Sequence, residues 1–515
     1  MNTLENPLSN HLGKFASILA VSLGLLVLSG CEKKLIEPEY TPDYPALRPP
    51  DNDVTGGTWK QVLLGSPAEI TVPEPAATNS AAYQQEVQIL KTAAAERTDE
   101  QTKAVVYWSS GGALRWNEIA RQLVTKYNVA PSANADGTFP AFDPTNPFAN
   151  PPYAARAYAL LSVAQYDALV SAWHYKFKYG RVAPKRIDNS LPTLVPDTDL
   201  PAYPSEDAVV AAASLEVLKF LFPKEADYLT QLADQHTNSR RWAGANVPSD
   251  LEAGAQLGKA VAAKVVAYAR TDKMGNARDP NGTYADPQYT APSWKSMEIP
   301  ARLPMLPLFG AVTTWFNRAS YQTVVPPPPP KVGTPEFEAA LREVRKIADT
   351  RTREQWRIAD FWADGAGTYA PPGHWNKIAA DLIRRDNFTE LRTARALALL
   401  NRAVMDAGIN CWSTKYLYYV PRPIQLDPAI KTSTGTPNFP SYTSGHATFS
   451  GAAAVAMGYI FPAEATRLDA MAEEAALSRL YGGIHYRFDN DAGLACGKAV
   501  GRVAVDWAKG DGAPQ

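Results

Sequence analysis

From Ala81 almost to the C-terminus, apolar residues recur at three- and four-residue spacings and runs of alternating β-branched residues are very few, which predicts an all-α body. Two stretches break the pattern. Beyond an apolar run from Phe15 to Leu28, a tract rich in Pro, Asp and Thr extends to about residue 78, and residues 32–80 are expected to form a tether with little chemistry of its own. Residues 275–335 are rich in Pro, aromatic residues and Gly, and the unbroken run from Pro326 to Pro330 favours a stiff extended spacer. That crossover is long enough to shape the entrance of a site.

The helical pattern is written twice. Ala155-Arg156-Ala157-Tyr158-Ala159-Leu160-Leu161 matches Ala394-Arg395-Ala396-Leu397-Ala398-Leu399-Leu400. The register holds without a gap through Asp167 and Asp406, Trp173 and Trp412, Pro184 and Pro423, Ser239-Arg240 and Ser478-Arg479, and Gly258-Lys259 and Gly497-Lys498. Upstream it continues at a shifted offset, Trp108 against Trp362 and Trp116-Asn117 against Trp375-Asn376, so the first copy carries a longer loop around residues 125–153. The expected architecture is two helical bundles, residues 81–274 and 336–515, packed about a pseudo-twofold axis so that each buries the other's apolar face.

Composition narrows the class. With 515 residues, 45% hydrophobic, 20% charged and a formal net charge of −1, the chain is an ordinary globular protein with no polyanionic partner, hence no nucleic acid. Lys14, the apolar run after it and Leu28-Ser29-Gly30-Cys31 form an export signal (residues 1–31) whose last four residues resemble a bacterial lipobox. That reading makes Cys31 the lipidated first residue of a mature protein anchored to the bacterial cell envelope, periplasmic or outer-membrane associated; the competing reading is a transmembrane anchor. An oxidising compartment would permit Cys411 and Cys496 to pair, while their apolar helical surroundings equally suit two buried thiols.

Candidate chemistry is concentrated in the second copy. Lys415 stands six residues before Arg422-Pro423, and Pro421 and Pro423 should end the helix so that Arg422 projects from a rigid turn. Phe439-Pro440-Ser441-Tyr442-Thr443-Ser444-Gly445-His446 leads into a small-residue helix, with Ser444 a natural N-cap and Gly445 leaving backbone N–H groups open to an anion. Ser478-Arg479 is followed after five residues by His485 and after three more by Asp489, with Gly482-Gly483 as the helix break. Asp489, one turn from His485, can fix the imidazole tautomer. Lys415, Arg422 and Arg479 can neutralise an oxyanion, His485 can attack it or bind its central atom, and His446 can serve as acid or base.

Taken together, Lys-x6-Arg-Pro, Ser-Gly-His and Ser-Arg-x5-His-x3-Asp closely resemble the three-part signature shared by type 2 phosphatidic acid phosphatases and vanadium-dependent haloperoxidases, and the duplicated helical body resembles the haloperoxidase scaffold. The resemblance implies that Lys415, Arg422, Ser444, Gly445 and Arg479 hold phosphate or vanadate oxygens. It implies that His485 binds vanadium or becomes phosphohistidine, that His446 is the acid/base, and that Asp489 orients His485. Vanadate is then the cofactor of a haloperoxidase acting on halide and peroxide, whereas a phosphatase acting on a phosphomonoester needs none. His485-Tyr486-Arg487-Phe488-Asp489 looks more like the haloperoxidase form, and Phe439 stands where bromoperoxidase-like members tend to have His. His374, in a loop opening a helix, is a further candidate for lining the site. His174 and His236 fall in the first copy and are given structural roles. There the equivalents of Arg422, Gly445, His446 and His485 are Ala183, Glu206, Asp207 and Asn246, so one site per chain is expected. A third reading, a non-catalytic glycan-binding lipoprotein, rests on the 12 Trp and 24 Tyr alone.

Overall fold

The computed structural model describes residues 44–320 and 325–514; the export signal and Cys31 lie outside them. Among the described residues every regular element is a helix. The first copy comprises α1 (Ala81–Ala95), α2 (Asp99–Trp108), α3 (Gly112–Tyr127), α4 (Pro151–Tyr179), α5 (Pro184–Ile187), α6 (Glu206–Leu221), α7 (Ala226–Trp242) and α8 (Pro248–Thr271). The second comprises α9 (Pro335–Thr350), α10 (Arg353–Phe361), α11 (Ala370–Asp386), α12 (Glu390–Tyr418), α13 (Pro423–Leu426), α14 (Gly445–Ile460), α15 (Ala465–Tyr481) and α16 (Arg487–Lys509). From α4 and α12 onward each first-copy helix begins 239 residues before its counterpart, the separation also of the contacting pair Ser162 and Asn401. Shared capping chemistry sets these starts: Asn150 and Thr389 cap α4 and α12, and Ser205 and Ser444 cap α6 and α14.

Helices α4 and α12 are buried nearly all round, as expected of helices without a polar face, and they pack against each other. Repeat equivalents meet beside them. Asn117 Nδ2 donates to Asn376 Oδ1 at 2.7 Å, and Asn401 Nδ2 lies 3.5 Å from Ser162 Oγ. A residue touching its own equivalent lies at the operator relating the copies, so the pseudo-twofold passes through this polar cluster.

The tether expectation fails over residues 44–80. Apart from a 3-10 turn at Gly56–Thr58 they are irregular, yet they wrap onto the first copy and bury Trp59, Leu64 and Val72. The buried Asp167 carboxylate accepts the backbone N–H groups of Val62, Leu63 and Leu64 at 2.7, 2.7 and 3.3 Å. The crossover does the same for the second copy, with Trp315 and Phe316 each donating at 2.9 Å to Asp406, the equivalent of Asp167. The composition removes the helical signal, but a few apolar anchors and two buried carboxylates still order the backbone.

The contact that builds the site is between α14 and α16. A Cβ on Gly493 would lie 2.8 Å from the carbonyl oxygen of Ser444, and one on Gly497 would collide with that of Thr448, so only glycine lets these helices approach so closely. Their N-termini, bearing Ser444-Gly445-His446 and His485 to Asp489, are thereby brought together. Cys411 and Cys496 are both buried and no disulfide joins them, so the structure agrees with the buried-thiol reading. No helix among the described residues is long and apolar enough to cross a membrane.

Candidate active site

Lys415 lies in the last turn of α12, which closes on Tyr419 in a left-handed cap (φ 53°). Its buried ammonium donates to the carbonyl oxygens of Pro440 and Ser441, both at 2.9 Å, and to that of Thr443. An ammonium has three protons, so the sequence-based role is modified: Lys415 braces the 440–443 loop and supplies charge rather than a free N–H. Arg422, fully buried at the start of α13, donates from Nε to Phe439 O (3.1 Å) and from Nη1 to Ile484 O (2.9 Å), and its Nη2 has no partner. Arg479 lies in the last turn of α15, just before the Gly482-Gly483 break, and donates to Ser478 Oγ and Ala359 O, both at 2.9 Å.

His485 immediately precedes the N-cap of α16 and sits between two fixed groups. Arg422 Nη1 lies 3.0 Å from its Nε2, and Asp489 Oδ2 lies 2.8 Å from its Nδ1. Arginine can only donate, so Nε2 accepts and Nδ1 carries the proton; this assignment follows from the hydrogen-bond network. Asp489 Oδ2 is itself held by Ser441 Oγ at 2.6 Å and by the backbone N–H of Tyr486 at 3.1 Å. The Nε2 lone pair therefore points toward the cations, where Arg422 Nη1 takes it, and a central atom bound there would displace that hydrogen bond.

Burial dominates the electrostatics. It drives His485 well below the ordinary histidine range, and Arg422, Lys415, His446 and Arg479 add to the fall. His446 is also driven well below, by desolvation and then by Arg479, so both imidazoles are neutral. Burial and the like charge of Arg422 bring Lys415 down to about 7, against the pull of Asp489. Burial likewise lowers Arg422 and Arg479 to about 10 and raises Asp489 to about 6, the last opposed chiefly by Ser441 and Lys415.

These groups fit a tetrahedral oxyanion such as phosphate or vanadate. Ser444 caps α14, leaving the dipole and the first N–H groups of that helix facing the cage. A Cβ on Gly445 would meet nothing nearer than 3.8 Å, so packing does not demand glycine there; what glycine keeps open is the approach to the N–H groups. Arg422 Nη2 and His446 Nε2 are buried polar atoms without partners among the described residues. Among the described residues no three His, Cys, Asp or Glu side chains gather as ligands of a bare cation would.

The remaining candidates fall close by. The Phe439 ring lies 5.0 Å from the charged groups of both Lys415 and Arg422 and 5.1 Å from Trp412. His374 stacks on Trp362 at 4.5 Å with its Nδ1 3.1 Å from Asp364. Two participants escaped the sequence reading. Ser441 lay inside a flagged segment, and its first-copy equivalent is Ala202, a difference that could have singled it out. Asp364, which acts electrostatically on Arg479, lies between α10 and α11 where the register shifts, so no internal comparison reaches it.

Residues 395–512 match the family model of the PAP2 superfamily. The chain is 24% identical over 380 residues to the vanadium chloroperoxidase of Curvularia inaequalis, a match covering 59% of this chain and 60% of that enzyme's length. Among solved structures it resembles a bacterial vanadium-dependent iodoperoxidase (TM-score 0.56, 26% identity, 69% of this chain and 91% of the other). It also shares the fold of a holo-type bacterial vanadium-dependent chloroperoxidase (TM-score 0.51, 16% identity, 72% and 95%).

Proposed function

Since the chain belongs to the superfamily that unites PAP2 proteins and vanadium haloperoxidases, we propose that it is a vanadate-dependent haloperoxidase that oxidises halide with hydrogen peroxide at the cage around His485. One observation carries this reading: a neutral imidazole whose Nε2 lone pair is fixed by Asp489 and faces three buried cations, one of them with an unused N–H. Arg422 Nη2, Arg479 and the N-terminus of α14 would hold the oxyanion oxygens, Lys415 would supply charge, and His485 Nε2 would bind the central atom.

When bound, vanadate would supply a Lewis-acidic centre that activates peroxide to take two electrons from halide, so that halide, peroxide and one proton from solvent give hypohalous acid and water. The chain's own contributions are positional and protolytic. The Asp489 contact to Nδ1 holds His485 in the coordinating tautomer. His446, kept neutral by desolvation and by Arg479, takes the proton that peroxide gives up and returns it to the departing oxygen. Phe439 and Trp412 exclude water beside the cations, which strengthens every charge interaction within. The signal and Cys31 extend the proposal to a lipid-anchored enzyme of the bacterial cell envelope.

Reconstitution of the purified protein with orthovanadate, followed by assays of halide oxidation and, without vanadate, of phosphomonoester hydrolysis, tests it. Halide oxidation is expected. Hydrolysis alone would replace the proposal by a phosphatase working through phosphohistidine at His485, and neither activity would leave the binding-lipoprotein reading.

A further inference from the structure

The first copy has lost the cage and kept a cavity. Glu206 stands at the position of Gly445 and pairs with Lys176 at 2.7 Å, while Asp207, at the position of His446, meets Arg240 at 2.9 Å and His236 at 3.1 Å. Over these carboxylates lie two cavities of about 60 and 370 Å³ that share Glu206 and Arg240 as walls. The smaller is lined by Ala183, Glu206, Arg240 and Asn246, the equivalents of Arg422, Gly445, Arg479 and His485. The larger falls within the size range of ligand pockets, about 300–1,000 Å³, and is lined by Trp108, Trp173 and Phe388 together with Glu206, Asp207 and Glu390.

Its charge is the reverse of the second copy's. Lys176 and Arg240 answer Glu206 and Asp207, and burial keeps His236 below the ordinary histidine range. Glu390, in the first turn of α12, accepts the backbone N–H groups of Gly112 (2.5 Å) and Ala113 (3.0 Å) and among the described residues has no cationic partner. Burial first, and then the charge of Asp207, raises its carboxyl to about 7, so a positive group beside it would be favoured. Arg48, which also lines the cavity, is exposed.

We propose that this cavity binds a small organic cation, a protonated amine on an aromatic or apolar body, with the ammonium against Glu390 and Glu206 and the body against Trp108 and Trp173. The inference does not depend on the activity proposed for the second copy. Isothermal titration of the full chain with tryptamine, neutral indole-3-ethanol and anionic indole-3-acetate tests it. Tryptamine is expected to bind at least about tenfold tighter than the neutral analogue, one charge-assisted contact being worth about that factor, with no binding of the anion. Glu390→Gln should weaken tryptamine by a similar factor. Thr198→Trp, an exposed loop position lining both cavities, should abolish binding without touching the core. His485→Ala should leave binding unchanged. Absence of tryptamine binding, equal affinity for the three probes, or undiminished binding in Glu390→Gln or Thr198→Trp would overturn the proposal, as would loss of binding in His485→Ala.

Discussion

In the second copy three cations gather near the N-terminus of α14, whose first turn carries no carboxylate, whereas in the first Glu206 and Asp207 stand on the matching N-terminus of α6 and pair with Lys176 and Arg240. The retained residues explain the lost ones. Lys176 donates to the carbonyl of Pro201 as Lys415 does to that of Pro440, and Asp250 accepts the N–H of Val247 (3.0 Å) as Asp489 accepts that of Tyr486 (3.1 Å). Lysine, aspartate and the capping serine thus have work in the fold itself. Arg422, Gly445, His446 and His485 have none that the first copy needed, which supports the proposal that they are kept for a ligand.

The copies can be pushed apart or together by mutation. The largest effect is expected for His485→Ala: loss of the proposed turnover by about a thousandfold or more, the upper range for one preorganised group, with the melting temperature little changed. Gly445→Glu imports the first copy's carboxylate into a space that accepts a Cβ, and should lower oxyanion affinity by about a hundredfold through a new pair with Lys415, measured by titration. Asp489→Asn should reduce activity about 10- to 100-fold through its hold on the imidazole and stability by about 1 kcal/mol through its hold on the start of α16; Asp250→Asn should show the stability loss alone in denaturant melts. The smallest effect is in pH. Binding an anion favours charged Lys415, whose value in the free site is about 7, so above that pH a proton must be taken up on binding. Sulfate, whose own charge is constant there, should bind progressively more weakly as pH rises through 7, by up to about tenfold per unit above it. A flat profile would remove Lys415 from the proton balance.

Much of this was legible before any coordinates. Pro421 and Pro423 end α12 and aim Arg422, Ser444 caps α14, and Gly482-Gly483 stops α15 below His485, because each of these acts through local backbone chemistry that spacing reveals. The folding back of the 440–443 carbonyls onto Lys415, the Ser441 contact to Asp489 and the approach of Asp364 to Arg479 were not legible. Each joins segments far apart in sequence, and only the packing of α12, α14 and α16 defines them. Residues 44–80 were misread for the same reason, since the carboxylate that orders their backbone, Asp167, sits inside α4.

The central claim, one live oxyanion site in a duplicated scaffold, is tested most directly by calorimetric titration of the full chain with orthovanadate alongside Gly445→Glu and Glu206→Gln. One vanadate per chain, weakened about a hundredfold in Gly445→Glu and unchanged in Glu206→Gln, is predicted; a stoichiometry of two or none, or undiminished affinity in Gly445→Glu, would contradict it.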